Sequence, residues 1–124
     1  MLNTTVISIL KTFSKGELKE FDKFIISPFF NNQPSLTRFY EELKKNYPGF
    51  EENKIDRKKI FRALYPDKEY SDDTVRRLTS DLKKLMDQFI YVKVQDSNPV
   101  EARFLRSFEF SRRGLMKEAE KELE

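Results

Sequence analysis

Apolar side chains recur at intervals of three and four residues along most of the 124-residue chain. An α-helix gathers such residues along one face, because consecutive residues are rotated by about 100°. The longest run is Val75, Leu78, Leu82, Leu85, Met86 and Phe89. This spacing predicts an all-α fold, and only the segment FIYVKV, residues 89–94, is also compatible with a strand.

Capping motifs mark where the helices begin. A capping residue placed before an apolar run satisfies backbone N–H groups that have no partner inside the helix. Ser14 is followed by Glu17 at the spacing of a capping box, and Pro99 occupies a first helical position, where its missing N–H costs nothing. The predicted capping residues are Ser14, Asp56, Ser71 and Asn98.

These patterns predict helices near residues 2–12, 15–26, 36–47, 57–65, 72–91, 99–112 and 115–123. We expect a compact bundle of six or seven short helices that ends in a helix-turn-helix pair. Residues 1–97 would form a helical domain, and residues 98–124 would form the helical pair. Pairs of this kind stack against neighbours in helical repeats, so we expect a longer helical region to follow residue 124 in the natural protein.

The composition excludes several catalytic chemistries, because the chain contains no Cys and no His. Disulfides, thiolate chemistry, zinc sites built from His or Cys, and Ser-His-Asp or Cys-His catalysis are therefore ruled out. The three Gly form no phosphate-binding loop. Adjacent carboxylates such as Asp72 and Asp73 point about 100° apart and more simply stabilise a helix N-terminus. We predict a protein that is not an enzyme and has no catalytic residues, metal, cofactor or small-molecule substrate.

The formal net charge is +3, and no segment of the chain is strongly basic. The N-terminus lacks the basic and apolar regions of a signal peptide, and no apolar stretch approaches the roughly 20 residues that cross a membrane. We therefore expect a cytoplasmic protein without a membrane partner. Any surface for a nucleic acid would have to be assembled by folding.

The predicted helix over 72–91 carries the candidate nucleic-acid interface. Its helical spacing places five polar residues within one arc, and these are Arg76, Arg77, Ser80, Lys83 and Lys84. Such an arc could contact phosphates and base edges as a recognition helix does. Asp73, Asp81 and Asp87 flank or share the arc and would oppose phosphate groups, so an ordinary solvated face is the favoured alternative.

Two short apolar segments are candidate partner sites. The loop SPFFNNQP, residues 27–34, carries Phe29 and Phe30 between two prolines. If both rings point outward, they form an apolar patch of the kind that marks a partner site. Alternatively, at least one ring fills the end of the bundle. Leu115 and Met116 begin the last amphipathic helix and form the second candidate site.

Parts of the chain resemble two groups of bacterial proteins. The stretch ALYPD, residues 63–67, followed by VRRL at 75–78 and LKKL at 82–85, resembles part of the bacterial transcriptional-activator winged-helix domains. It implies DNA binding, although the β-hairpin wing of that family is missing after residue 94. The segments LKTFSKGELKEF, FYEELKKNYPGF and KIFRALYPDKEY are similar to the N-terminal region of a group of uncharacterised, long, helix-rich bacterial proteins. This second similarity implies an all-helical N-terminal module.

The function predicted from the sequence is that of a non-catalytic protein-interaction or scaffold module at the N-terminus of a longer helical bacterial protein. It would bind a protein partner, or the downstream helices of its own chain, through apolar and aromatic surface. The alternative is a DNA-binding, winged-helix-like regulatory module that uses the basic face of the 72–91 helix.

Overall fold

The computed structural model describes residues 4–124 as seven α-helices and one short 3₁₀ helix. The helices are α1 (Thr4–Thr12), α2 (Lys15–Ile25), α3 (Pro34–Lys44), α4 (Arg57–Leu64), α5 (Asp72–Ser97), α6 (Pro99–Arg112) and α7 (Met116–Glu122), and the 3₁₀ helix is Glu52–Lys54. No strand occurs among these described residues. The predicted all-α fold of six or seven helices is confirmed.

The predicted capping residues begin the helices as expected. Ser14 Oγ accepts a hydrogen bond from Glu17 N at 3.1 Å, and Glu17 Oε1 accepts one from Ser14 N at 3.1 Å, which completes the capping box. Asp56 Oδ1 accepts a hydrogen bond from Lys58 N at 2.9 Å. The side chains of Ser71 and Asn98 each accept a hydrogen bond from the backbone N–H three residues later.

α5 is the longest helix and includes FIYVKV, so the strand alternative for residues 89–94 is wrong. Its 26 residues contain neither Gly nor Pro. Each residue added to an existing helix gains a backbone hydrogen bond without a new nucleation cost, which outweighs the β preference of Val, Ile and Tyr here. The helix ends where Asn98 and Pro99 begin the next one.

The chain divides into two compact units. Unit 1 comprises the described residues up to Asp87, and unit 2 runs from Gln88 to Glu124. This division falls inside α5, whereas the sequence pattern predicts a boundary after residue 97, at the break between α5 and α6. Both divisions assign α6 and α7 to the second part of the chain.

Unit 1 has a core of aromatic and aliphatic side chains. Phe21 and Phe39 are fully buried, and the ring of Phe21 meets Tyr40 edge-on at a centroid distance of 4.9 Å. Leu82 and Met86 from α5 are equally inaccessible to solvent. Burial of each such side chain contributes about 1.5–3 kcal/mol, so the apolar stripes recognised in the sequence are the main source of stability in this unit.

A polar cluster at the edge of this core joins α2 to α3. Tyr40 Oη donates a hydrogen bond to Asp22 Oδ1 at 2.7 Å, and Lys44 Nζ lies 2.6 Å from Asp22 Oδ2. Burial, followed by this hydrogen bond, raises the pKa of Tyr40 above its usual value. The phenol therefore stays protonated at neutral pH and remains the donor that Asp22 requires.

Unit 2 contains the predicted helix-turn-helix pair, formed by α6 and α7. α6 ends in a Schellman turn, in which Leu115 N donates to Phe110 O at 2.8 Å and Gly114 N donates to Ser111 O at 3.0 Å. Gly114 has a φ of +80°, a left-handed conformation that Gly adopts without steric cost. The turn reverses the chain and brings α7 back along α6.

Candidate interaction surfaces

Carboxylates of the same helix balance the basic face of α5. Arg76 Nη2 lies 2.9 Å from Asp73 Oδ1, and Arg76 Nε lies 3.1 Å from Asp72 Oδ2. Ser80 is exposed one turn further along the helix. A phosphate that approached Arg76 would have to compete with two aspartates that already hold its guanidinium group.

The remaining cations of this face are mostly paired as well. Arg77 Nη1 lies 3.8 Å from Asp81 Oδ2, and Lys83 Nζ lies 2.8 Å from Asp87 Oδ2. Lys84 is exposed and forms no ion pair with any residue that the structure describes. The basic arc therefore carries little uncompensated positive charge, apart from that of Lys84.

Asp72 connects the basic face to α4. Its Oδ1 accepts a hydrogen bond from Tyr70 Oη at 2.9 Å and lies 2.9 Å from Arg57 Nη2. The Tyr70 hydrogen bond, followed by the charges of Arg57 and Arg76, lowers the pKa of Asp72 below its usual value. The sequence pattern predicts only an interaction of Asp72 with the helix dipole. Its bond to Arg57 depends on tertiary packing, which no local pattern signals.

A cleft of about 420 Å³ lies beside this ion-pair network. Arg57, Arg76 and Lys83 contribute to its lining, together with Thr79 and Ser80. Arg57 Nε is buried and has no hydrogen-bond partner among the described residues. Each of the three cations already pairs with an aspartate, so the cleft offers an anion hydrogen-bond donors but little net charge.

In the loop between α2 and α3, one aromatic ring is packed and the other is exposed. Phe30 stacks on Phe24 with a centroid distance of 4.2 Å, whereas the side chain of Phe29 is 89% exposed. Asn31 Nδ2 donates to Ile25 O at 2.8 Å and thereby fixes the loop against the end of α2. One ring covers part of unit 1, and the other remains available to a partner.

α6 leaves two of its three Phe side chains and one Leu exposed to solvent, whereas Phe110 is half-buried. Of its 14 residues, Ser107 alone is buried, and Phe104, Leu105 and Phe108 are 61%, 46% and 72% exposed. These side chains border a groove of about 750 Å³, which we call the α6 groove. Its apolar lining residues are Val100, Phe104, Leu105, Phe108 and Leu123.

Polar contacts determine which side of α6 faces α7. Ser107 Oγ donates a hydrogen bond to Ala119 O at 2.8 Å, and both residues are buried. Arg106 lies 2.9 Å from Glu122, and its hydrogen bond lowers the pKa of that carboxyl. Around the helix, Arg106 lies about 160° and Ser107 about 100° from Phe108, so α7 packs beside the aromatic face, with Ser107 at the edge of the groove.

Leu115 and Met116, predicted from the sequence as partner-binding residues, lie at the turn between α6 and α7, and both are exposed. Ser111 Oγ lies 3.7 Å from Met116 Sδ. The sequence-based prediction did not include Phe104 and Phe108 as partner residues. Their spacing of four positions on one helix was the available signal, but it does not reveal whether another element covers that face.

Within residues 4–124, no group of three or more acidic side chains is arranged to hold a metal ion. No helix in that range combines the length and the apolar character that a bilayer crossing requires. The chain matches no protein-family model, no curated protein and no solved structure. The α6 groove and the basic face of α5 are therefore the basis on which a function can be proposed.

Proposed function

We propose that the chain is a non-catalytic protein-interaction module. The α6 groove, extended by Leu115 and Met116 at the adjacent turn, is its binding surface. The observation that supports this function is the exposure of Phe104, Leu105 and Phe108 on a helix that buries only Ser107.

Exposed aromatic rings at this density are typical of interfaces. Monomeric proteins rarely expose contiguous apolar patches, and larger patches mark surfaces that bind other molecules. Phe and Met are enriched at the centres of protein interfaces, where charged residues are depleted. Phe104 and Phe108 occupy the middle of α6, whereas Glu101 and Arg112 lie towards its ends. This order matches an apolar centre with a polar rim.

Binding would follow the helix-in-groove mode, with the rings as anchors. Each Phe side chain transferred from water to an interface contributes about 1.5–3 kcal/mol, and apolar side chains at this helical spacing are the anchors of helix-in-groove complexes. The ion pair between Arg106 and Glu122 and the Schellman turn hold α7 in place before binding. A preorganised surface loses little conformational entropy on association.

Site-specific photo-crosslinking in cells tests this function. A photoreactive phenylalanine analogue replaces Phe108 in one variant and Lys19, an exposed residue of α2, in a matched control. We expect a discrete protein adduct from position 108 and none from position 19, with the adduct peptide identified by mass spectrometry. Absence of any protein adduct at position 108 would contradict an interaction through the α6 groove.

DNA binding through α5 is the second candidate function. The observation in its favour is the cleft lined by Arg57, Arg76 and Lys83 beside exposed Lys84. The aspartates that pair with these cations weaken the case, because phosphate binding depends on the release of counterions by unpaired positive charge. Fluorescence anisotropy with labelled duplex DNA at two salt concentrations separates this candidate from the first.

A further inference from the structure

We propose that the α6 groove binds the same groove of a second copy of this chain, with the two α6 helices antiparallel. This inference rests on the proposed function and names its partner. The apolar area of the groove, the arrangement of charge along α6 and the symmetry of its aromatic residues each support a second copy as the occupant.

The first support is the amount of exposed apolar surface. Val100, Phe104, Leu105, Phe108 and Leu123 are between 46% and 72% exposed. For side chains of this size, such exposure leaves roughly 500 Å² of apolar surface in solvent. A standard interface buries about 800 Å² per partner, and roughly 65% of a homodimer interface is apolar. These five side chains therefore expose about the apolar area that one protomer of a stable dimer contributes, provided that the second copy covers all of them.

The second support is the arrangement of residues around α6. At about 100° per residue, the residues of one face fall within an arc of about 100°. They are Glu101, Phe104, Leu105, Phe108 and Arg112. This face has one acidic residue in its first turn, apolar residues in the middle and one basic residue in its last turn.

Such a face is complementary to itself when two copies are related by a two-fold axis. An axis that passes near residue 106 places Phe104 of one copy against Phe108 of the other, and the same operation places Glu101 against Arg112. The helix dipoles are also antiparallel in this arrangement, which is favourable. A parallel arrangement would instead place Glu101 against Glu101 and Arg112 against Arg112.

The contacts that Glu101 and Arg112 make within their own chain do not prevent them from pairing with a second copy. Glu101 Oε2 accepts a hydrogen bond from Asn98 Nδ2 at 3.1 Å, and Arg112 Nη2 lies 2.9 Å from Glu109 Oε1. Both contacts are local and solvent-exposed, so water screens them. The Arg112–Glu109 pair is bidentate, with Arg112 Nε also donating to Glu109 Oε2 at 3.0 Å, so Glu101 of a second copy would share the guanidinium group with Glu109.

Sedimentation velocity of the full chain over a range of concentrations tests the association. We expect a monomer-dimer equilibrium whose Kd rises at least about a hundredfold in Phe108→Asp, because both copies of the ring are lost from the symmetric interface. Ile26→Asp is the matched control, since it places the same charge on an exposed apolar side chain of unit 1 and should leave the Kd unchanged. Circular dichroism verifies that both variants keep their helical content.

A charge-swap series tests the antiparallel register separately. Glu101→Arg and Arg112→Glu should each raise the Kd roughly tenfold, because each creates two like-charge contacts across the axis. The double variant restores opposite charges at both contacts and should recover the wild-type Kd. An equimolar mixture of the two single variants should likewise form heterodimers in preference to either homodimer.

The outcomes distinguish this inference from the function on which it rests. A crosslink at position 108 between two copies supports it, as does rescue in the double charge variant. A chain that sediments as a monomer at every concentration overturns it, even where position 108 crosslinks to a different protein and the proposed function survives. If both single variants dimerise more weakly and the double variant does not recover the wild-type Kd, the antiparallel pairing is overturned. No adduct with any protein contradicts both proposals.

Discussion

Asp72 shows how much one side chain contributes to the organisation of unit 1. It accepts the Tyr70 hydroxyl at 2.9 Å and lies 2.9 Å from Arg57 Nη2 and 3.1 Å from Arg76 Nε. One carboxylate thus joins α4, the turn before α5 and the first turn of α5. Because the pKa of Asp72 is lowered, the folded protein holds this carboxyl in its charged form more strongly than the unfolded chain does.

The Asp72→Asn substitution should reduce the free energy of unfolding at neutral pH. It should also make that free energy depend less on pH in the acidic range. The contribution of Asp72 is complete above the pKa of an unfolded Asp, about 3.9, and is lost as the pH falls through the lower pKa of the folded state. Wild-type stability should therefore fall across this acidic range more steeply than that of the variant. Urea unfolding at several pH values measures the difference.

Asp73→Asn is the matched control, because Asp73 neighbours Asp72 in sequence but, among the residues that the structure describes, pairs with Arg76 alone, and its side chain is 91% exposed. It should leave the acid dependence close to that of the wild type. Equal acid dependence in wild type and Asp72→Asn would show that the contacts of Asp72 do not favour its charged form.

Gly114→Ala should destabilise unit 2 by about 1 kcal/mol, because an L-residue at a φ of +80° is strained even though no atom lies within 4 Å of the added Cβ. Gly16→Ala is the matched control. Gly16 lies in the first turn of α2, where Ala is the better helix former and should stabilise by up to about 1 kcal/mol. Urea unfolding, monitored by circular dichroism, compares the stabilities of the two variants. Equal effects of the two substitutions would contradict the left-handed turn.

Local signals in the sequence located the elements better than they located their ends. Ser14, Asp56, Ser71 and Asn98 marked helix starts correctly, because a cap acts on N–H groups within the next few residues. The end of α5 lay beyond its predicted position at residue 91, since helix propagation overrides local β preference. An uncovered face on the terminal helix pair was expected, but which residues of α6 form it depends on where Ser107 and Arg106 hold α7, which residue spacing does not reveal.

The paired charges of α5 lead to a prediction about DNA. We expect weak binding of duplex DNA by the wild type, because Asp73 and Asp87 hold Arg76 and Lys83. The double variant Asp73→Asn and Asp87→Asn frees Lys83 and removes one of the two carboxylates that hold Arg76, the other being Asp72. The slope of log K against log salt should then steepen by up to about 2.

Asp67→Asn with Asp96→Asn is the matched control, since it changes the net charge equally at positions that lack an ion pair in the described part of the chain. Fluorescence anisotropy at two salt concentrations gives the slopes. Tight binding by the wild type, with a steep salt slope that flattens in Arg76→Ala and Lys83→Ala, would instead favour a DNA-binding role for α5.

At the scale of the whole molecule, the two units use the same residue types in different ways. Unit 1 buries aromatic rings such as Phe21 and Phe39 in its core, whereas Phe29 in a loop stays exposed. In unit 2, Phe104 and Phe108 remain largely in solvent, and polar contacts such as Ser107 to Ala119 connect the helices. The buried apolar residues of unit 1 therefore serve folding, whereas those of the α6 groove are available for binding.

This difference predicts that two leucine substitutions will separate folding from association. Leu82→Ala removes a fully buried side chain of unit 1 and should lower the free energy of unfolding by about 2–5 kcal/mol. Leu105→Ala acts at a half-exposed position of the α6 groove and should change the stability of the monomer by less than about 1 kcal/mol. It should nevertheless weaken association roughly tenfold, because two copies of the side chain leave the interface. Urea unfolding at low protein concentration and sedimentation velocity measure the two effects independently. If Leu105→Ala destabilised the monomer as strongly as Leu82→Ala does, the α6 groove would belong to a folded core and its residues would not be free to bind a partner.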